Sequence, residues 1–235
     1  MTDAPLAAAG GRPLRGLWLT ALTADVVELV PLDGFDWLGV DLQHGCLEAT
    51  DLPGLLRVTP LPVLARTASH DAAHLGRVLD TGVRGVIVPA VESRAEAAAL
   101  VRAVRTPPEG ARSTGGSRST LLGGRARPVL LPMVETAAGL DAVEEITRVS
   151  GVDGVFVGPY DLALSLGRES VVDPDVVAGL HAVVAAARER GLLTGVFTGH
   201  ASLDPLLPPV DLHAVESDIG ALRRGLNSLE RRSED

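Results

Sequence analysis

The chain has 235 residues, a net charge of −9 at pH 7, and an apolar fraction of 46% with only 3% aromatics. That length buries one large core, and a core this poor in aromatics must be built from Leu, Val and Ala, a palette suited to alternating strands and helices rather than an aromatic-clustered sandwich. The acidic balance, with no basic stripe, argues against nucleic-acid binding; the absence of an eighteen-residue apolar run or a basic-flanked apolar leader predicts a soluble, cytoplasmic protein with no membrane contact.

In chain order, a loose tail over residues 1–12 precedes a first strand, Gly16–Thr20, and a helix over Ala24–Leu29. A strand over Asp36–His44 leads to a helix over Asp51–Arg57, then a strand over Pro62–Arg66 to a helix over Asp71–Thr81. The fourth strand, Gly85–Val91, feeds a helix over Arg94–Arg105, where Ser93 followed by Glu96 forms a capping box. Thr106–Arg127, rich in Pro, Gly, Ser and Arg and without an apolar period, reads as a long loop. Strands over Pro128–Glu135 and Gly154–Gly158 bracket a helix over Leu140–Val149. A helix over Pro174–Arg190 starts on proline, carries acids in its first turn and stops at Gly191. Strands over Leu193–Thr198 and His213–Ser217 follow, with a weak helix near Ser202–Leu206 between them and a last helix over Ile219–Arg231. This alternation predicts an α/β fold, a single-domain parallel (β/α)8 barrel over residues 13–235; an open doubly wound sheet shares the same alternation.

In a barrel the C-terminal strand ends share one mouth, where such folds keep their active sites. Trp18, Asp41, Gln43, His44, Arg66, Glu135, Asp161, Ser217 and Asp218 all fall there. Glu135 and Asp161 each end an apolar strand. As hard oxygen donors they select an octahedral ion such as Mg²⁺ or Mn²⁺ over structural zinc. Either acid alone also fits a helix N-cap or a salt-bridge partner; the pair, one βα unit apart, favours a metal. His44 fits a general base near neutral pH with Asp41 orienting it, or a hydrogen-bonded histidine closing a strand. Arg66 fits a stabiliser of oxygen charge or a salt bridge across the mouth. His70 and His74 share a helical face at a spacing that can bind zinc, but no third ligand accompanies them, so they are expected to face solvent. Gly115-Gly116 and Gly123-Gly124 lack the strand-to-helix context of phosphate loops.

Two compositional absences narrow the chemistry. A single cysteine, Cys46, leaves no internal disulfide or multi-cysteine metal site. All 21 basic residues are arginine. With no lysine amine, Schiff-base and pyridoxal-phosphate chemistry are excluded, so bond-making next to a carbonyl needs a metal as electron sink.

The segments Gly16-Leu-Trp-Leu, Phe35-Asp-Trp-Leu-Gly-Val-Asp-Leu-Gln-His-Gly45, Val63-Leu-Ala-Arg66 and Leu79-Asp-Thr-Gly-Val-Arg-Gly-Val-Ile-Val-Pro-Ala-Val91 resemble the HpcH/HpaI aldolase family of metal-dependent pyruvate aldolases. So do Arg105-Thr-Pro-Pro-Glu-Gly-Ala-Arg112, Pro132-Met-Val-Glu135 and Gly151-Val-Asp-Gly-Val-Phe-Val-Gly-Pro-Tyr-Asp-Leu162. The resemblance implies a (β/α)8 barrel with Glu135 and Asp161 on a divalent ion (Mg²⁺ or Mn²⁺, with Co²⁺ a further fit). It implies His44 with Asp41 as acid/base and Arg66 at the enolate oxygen. Trp18, Gly158, Tyr160 and Asp161 would bind substrate, the amides around Tyr160 and Asp161 receiving a carboxylate. The implied reaction is class II aldol cleavage or formation of 4-hydroxy-2-oxo acids from pyruvate and an aldehyde, in a homo-oligomer, trimer or hexamer, with an exchanged C-terminal helix. Rival readings are thioester chemistry of the citrate-lyase or malyl-CoA-lyase kind, oxaloacetate decarboxylation, and a non-catalytic homologue that binds a metal–oxo-acid complex. Gln43, Met133 and Tyr160 depart from the family pattern, which has glutamate, glutamine and a small residue there.

Overall fold

Eight short runs rich in Val, Leu and Ile, each closed by a turn, pair as parallel strands in sequence order. They are β1 (Leu14–Leu19), β2 (Trp37–Asp41), β3 (Val63–Arg66), β4 (Gly85–Val88), β5 (Val129–Val134), β6 (Gly154–Val157), β7 (Leu193–Phe197) and β8 (Leu212–Ser217). β8 returns to β1 and closes the barrel, with a register shift between Gly16 and Leu17. The computed structural model describes residues 6, 12–113, 115–123, 127–199 and 202–230.

The helices α1 (Ala24–Val27), α2 (Leu52–Val58), α3 (Ala72–Asp80), α4 (Arg94–Val104), α5 (Arg118–Leu121), α6 (Ala137–Asp141), α7 (Val143–Thr147), α8 (Pro159–Ser165), α9 (Pro174–Arg188) and α10 (Asp218–Glu230) lie between and after the strands. The single helix expected over 140–149 is two short ones, α6 and α7, meeting at Ala142. The expected weak helix near 202–206 is one 3₁₀ turn, Asp204–Leu206. Two helices went unpredicted. In the expected loop, α5 is capped by Ser117, whose hydroxyl accepts the Thr120 amide. The other, α8, opens on Pro159 at the end of β6.

Period-2 alternation decides which side chains enter the barrel. Inward-facing Trp18, Trp37, Leu64, Ile87, Leu131, Met133, Phe156, Leu212 and Ala214 fill its centre. The few aromatics concentrate here rather than being dispensable. Trp18 packs against Phe156 at 5.7 Å and Phe197 at 5.4 Å between ring centroids, and Trp37 meets Phe156 edge-on at 6.4 Å. Glycine on the neighbouring strand makes the room: Gly16 pairs with Trp37, and Trp18 with Gly39. A Cβ on Gly16 or Gly39 would sit 2.3 or 2.4 Å from the indole opposite, so each large ring needs its small partner.

Outward-facing residues such as Leu19, Leu38, Val40, Val63 and Val86 pack under α1 to α4, while Val155, Val157 and Val196 pack under α8 and α9. Leu6 is buried within the barrel-interior cluster and Arg12 pairs with Asp36; the rest of the tail expected over 1–12 lies outside the described residues. Residues 114 and 124–126 of the expected loop also lie outside them, as does Arg231 at the expected end of the last helix. Leu222, Leu226 and Leu229 of α10 stand exposed as a helical stripe. Among the described residues, no helix is long and apolar enough to cross a membrane.

Candidate active site

The inward register that places Trp18, Trp37 and Phe156 in the barrel centre also brings Trp18, Asp41, Arg66 and Glu135 to the C-terminal mouth. Trp18, Thr20, Asp41, His44, Arg66, Met133, Gly158, Pro159, Tyr160, Asp161, Phe197 and Ser217 line one cavity of about 280 Å³ there. Of the residues expected at the mouth, Gln43, Glu135 and Asp218 do not line it; Glu135 lies immediately behind Gly158, where a Cβ on that glycine would fall 2.6 Å from Glu135 Oε2.

Asp41, closing β2, is held by a dense set of donors. Arg66 donates Nε to Oδ1 at 3.0 Å and Nη2 to Oδ2, a parallel two-pronged pair. The amides of Gln43 and His44 donate to Oδ1 at 3.0 and 3.1 Å, and Trp18 Nε1 reaches Oδ2 at 3.4 Å. Those two amide bonds turn the chain out of β2, which is why the strand ends at Asp41 and not at His44 as expected. Burial would raise the Asp41 carboxyl, but the Arg66 bond and charge and the two amides outweigh it and hold it below its ordinary range. Asp41 therefore touches His44 only through the backbone, not by orienting its imidazole as expected. The imidazole stands exposed at the cavity rim, without a hydrogen-bond partner among the described residues.

Arg66 is clamped by Asp41 on one side and lies over the Trp18 ring on another, its guanidinium carbon 5.6 Å from the centroid. Its Nη1 has no protein acceptor among the described residues.

Glu135 is the opposite case. It is 5% exposed; Oε1 accepts the Ala90 amide at 2.8 Å, while Oε2 is buried with no partner. Burial raises its carboxyl above the ordinary range; the Ala90 amide and Arg66 oppose this, and the negative charges of Asp161 and Asp41 add to it. An orphaned, buried carboxylate oxygen beside a second acid is costly unless a cation joins them. Asp161 lies in the first turn of α8, solvent-exposed, with no hydrogen-bond partner for its carboxylate among the described residues. No group of three or more His, Cys, Asp or Glu is gathered to enclose a metal among the described residues. The donor set is thus two hard carboxylates with open positions, which fits a divalent ion that also holds water and substrate.

Tyr160 is held on the β7 side of the cavity. Its hydroxyl donates to the Thr198 carbonyl at 2.7 Å and its ring lies 6.3 Å from Phe197; burial raises its phenol. With Trp18 and Phe197 it forms an aromatic wall, and the Tyr160 backbone amide, in the first turn of α8, has no partner among the described residues.

Several contributors carried no signal in the sequence. Ala90 supplies the amide to Glu135, and no residue preference marks such a role. Asp218 is a clamp rather than a rim acid: Oδ2 accepts the amides of Thr20, Ala21 and Leu22 at 2.8–3.0 Å, and Oδ1 accepts the Thr20 hydroxyl at 2.6 Å, fixing the loop after β1. Burial opposes ionisation of Asp218, but these bonds hold its carboxyl below the ordinary range. The helical pair expected to face solvent is engaged instead. His70 Nε2 lies 2.6 Å from the Pro89 carbonyl, and His74 Nε2 accepts the Ala68 amide at 3.3 Å.

A family model described as HpcH/HpaI aldolase/citrate lyase matches residues 14–214. The hydroxypyruvate/pyruvate aldolase of Sagittula stellata is 34% identical, over 96% of this chain and 94% of its own length. The pyruvate aldolase of Rhizobium etli is 34% identical, over 94% and 93%. The crystal structure of an HpcH/HpaI aldolase/citrate lyase family protein from Burkholderia cenocepacia superposes with a TM-score of 0.86 at 30% identity, covering 96% of both chains.

Proposed function

This chain belongs to the HpcH/HpaI aldolase/citrate lyase family, and on that premise we propose that it is a metal-dependent carbon–carbon lyase interconverting 4-hydroxy-2-oxo acids with pyruvate and an aldehyde. The observation that carries the reading is Glu135: a buried carboxylate whose Oε2 has no partner, next to Asp161, in a chain without lysine.

Glu135 and Asp161 would hold the divalent ion, Mg²⁺ or Mn²⁺, with Co²⁺ a further fit. When bound, it supplies Lewis-acid polarisation of the 2-oxo group. The remaining work falls to the chain's own groups. The unpaired first-turn amides of Tyr160 and Asp161 receive the substrate carboxylate at the start of α8. His44, at the rim and free of other partners, takes the proton of the C4 hydroxyl as the C3–C4 bond breaks and the aldehyde leaves. Arg66 turns its free Nη1 donors toward the oxygen of the pyruvate enolate left behind. Because Asp41 holds Nε and Nη2 in a fixed fork, those donors need no reorganisation. Trp18 walls the cavity under the guanidinium and keeps it from relaxing into the barrel. Apolar Met133, Pro159 and Phe197 restrict water around the reacting carbons.

The test is exchange of the pyruvate methyl protons in D₂O, which reports enolate formation without knowledge of the aldehyde. Exchange is expected with Mn²⁺ or Mg²⁺, lost with EDTA, and lost in Glu135→Ala and Asp161→Ala. A folded protein that shows no metal-dependent exchange would refute the reading. The exposed leucine stripe of α10 supports assembly into a homo-oligomer through that helix.

A further inference from the structure

We propose that His70 positions Glu135 for the metal by holding the single peptide group between Pro89 and Ala90; the role rests on the metal reading of Glu135 given above. The N–H of that peptide donates to Glu135 Oε1 at 2.8 Å, and its C=O lies 2.6 Å from His70 Nε2. A carbonyl oxygen can only accept, so the contact requires the proton on Nε2 and thereby sets the tautomer of His70. A peptide group is planar and rigid, so fixing its oxygen fixes where its N–H points. The two bonds lie at opposite ends of one dipole, and each strengthens the other.

The backbone shows that this orientation is imposed. Ala90 has φ +50°, the one positive φ at a non-glycine among the described residues. Residues with a Cβ rarely adopt that region, and such outliers persist where the surroundings hold them. On one side of the peptide is His70, immediately before Asp71, whose side chain caps α3. On the other, the Val91 amide donates to the Met133 carbonyl at 3.1 Å, tying the segment to the strand that leads into Glu135. The rigid start of α3 thus reaches the proposed metal ligand through one peptide. Oε1 is kept as the bonded oxygen, so that Oε2, which has no protein partner, is the one left to bind the ion. A residue that only satisfied the buried Pro89 carbonyl would contribute to stability and leave the Glu135 oxygens indifferent.

The experiment is Mn²⁺ titration of the metal-free full chain, following the signal of the free ion by electron paramagnetic resonance, with Tm in EDTA measured alongside. His70→Leu is expected to weaken Mn²⁺ binding about tenfold, the loss typical when a partner that orients a ligand is removed. His70→Gln, whose amide can still donate to Pro89 O, is expected to stay within about threefold of the parent. Ala90→Gly, which frees the peptide to turn without touching His70, is expected to weaken Mn²⁺ several-fold, and it decides the matter if His70→Leu fails to fold. A folded His70→Leu within twofold of the parent overturns the proposal, as does a His70→Gln as weak as His70→Leu, or an Ala90→Gly with unchanged affinity. A parent chain that takes up no Mn²⁺, or whose uptake survives Glu135→Gln, overturns the metal site itself instead.

Discussion

Gly158→Ala isolates the space that Glu135 needs. Gly158 has φ −102° and ψ 87°, a backbone open to alanine, so the substitution tests room and not conformational freedom. The added methyl would lie 2.6 Å from Glu135 Oε2, 2.7 Å from Met133 Cε and 2.9 Å from Glu135 Cβ. Ordinary carbon contacts begin near about 3.5 Å, so the carboxylate must retreat by roughly 1 Å. Oε2 and Met133 Cε are ends of flexible side chains but Glu135 Cβ is fixed to the backbone, so the folding cost falls within the ordinary overpacking range, about 1–3 kcal/mol. The catalytic cost is larger, because the atom that moves is the proposed ligand, and a 1 Å misplacement costs roughly 100-fold, or about 2.7 kcal/mol. The assay is Mn²⁺-dependent pyruvate methyl exchange in D₂O, with urea unfolding of the same preparations. Exchange should fall by about two orders of magnitude while stability falls by no more than about 3 kcal/mol. Exchange at the parental rate in a folded Gly158→Ala would show that Glu135 Oε2 does not need its present place, and the reasoning from its orphaned oxygen would fail.

Arg66→Lys keeps a cation beside Asp41 but loses the two-pronged fork, so exchange should drop roughly 100-fold with Mn²⁺ affinity retained; parental exchange would remove Arg66 from the chemistry. Tyr160→Phe removes only the bond to Thr198 O, so about 1 kcal/mol of stability should be lost in urea with exchange unchanged; loss of exchange would show a role for the hydroxyl beyond that bond. Asp41 and Asp218 have folded-state carboxyls below their ordinary range, so their contribution is present above the unfolded value near about pH 4 and is lost as pH falls through it toward the folded values. Asp218→Asn must turn its NH2 toward either the three amides on Oδ2 or the Ile219 amide on Oδ1, so it should cost about 3 kcal/mol at pH 7 and flatten the acid limb of the urea midpoint between pH 5 and 3; an unchanged limb would refute its role as a clamp.

The strands were legible as short continuous apolar runs between helical patterns, and the mouth followed from their chain order. Asp41, Arg66 and Glu135 could be placed at one rim because each ends a predicted strand of a barrel. Less of the local chemistry was legible. The end of β2 depends on Asp41 capturing the amides of Gln43 and His44, a competition in which Arg66 also takes part, and no local pattern announces it. The scarcity of aromatics pointed to an aliphatic core, yet Trp18, Trp37 and Phe156 fill the barrel centre, since a few large rings suffice where glycine faces them across the sheet. Helix α8 was hidden because Pro159 reads as a breaker after a strand and equally as the first residue of a helix. Ala90 was invisible in principle: its contribution is a backbone N–H, and every non-proline residue has one.

The charge balance at the mouth bears on why Glu135 and Asp161, and not Asp41, would be the acids to hold an ion. Asp41 already accepts two donors from Arg66, two backbone amides and the Trp18 indole, so its oxygens are saturated and its charge is cancelled by a guanidinium beside it. Drawing it onto a metal would break a buried ion pair and strand Arg66, a loss of about 3–5 kcal/mol in comparable sites. Glu135 and Asp161 have no such partner, and between them they carry two negative charges, the number one divalent ion neutralises. Arg66 can then serve the substrate oxygen because Asp41 anchors it without drawing it toward the acids. The same pairing that made Asp41 a poor candidate for orienting His44 would keep the proposed metal ligands and the proposed enolate donor from neutralising one another.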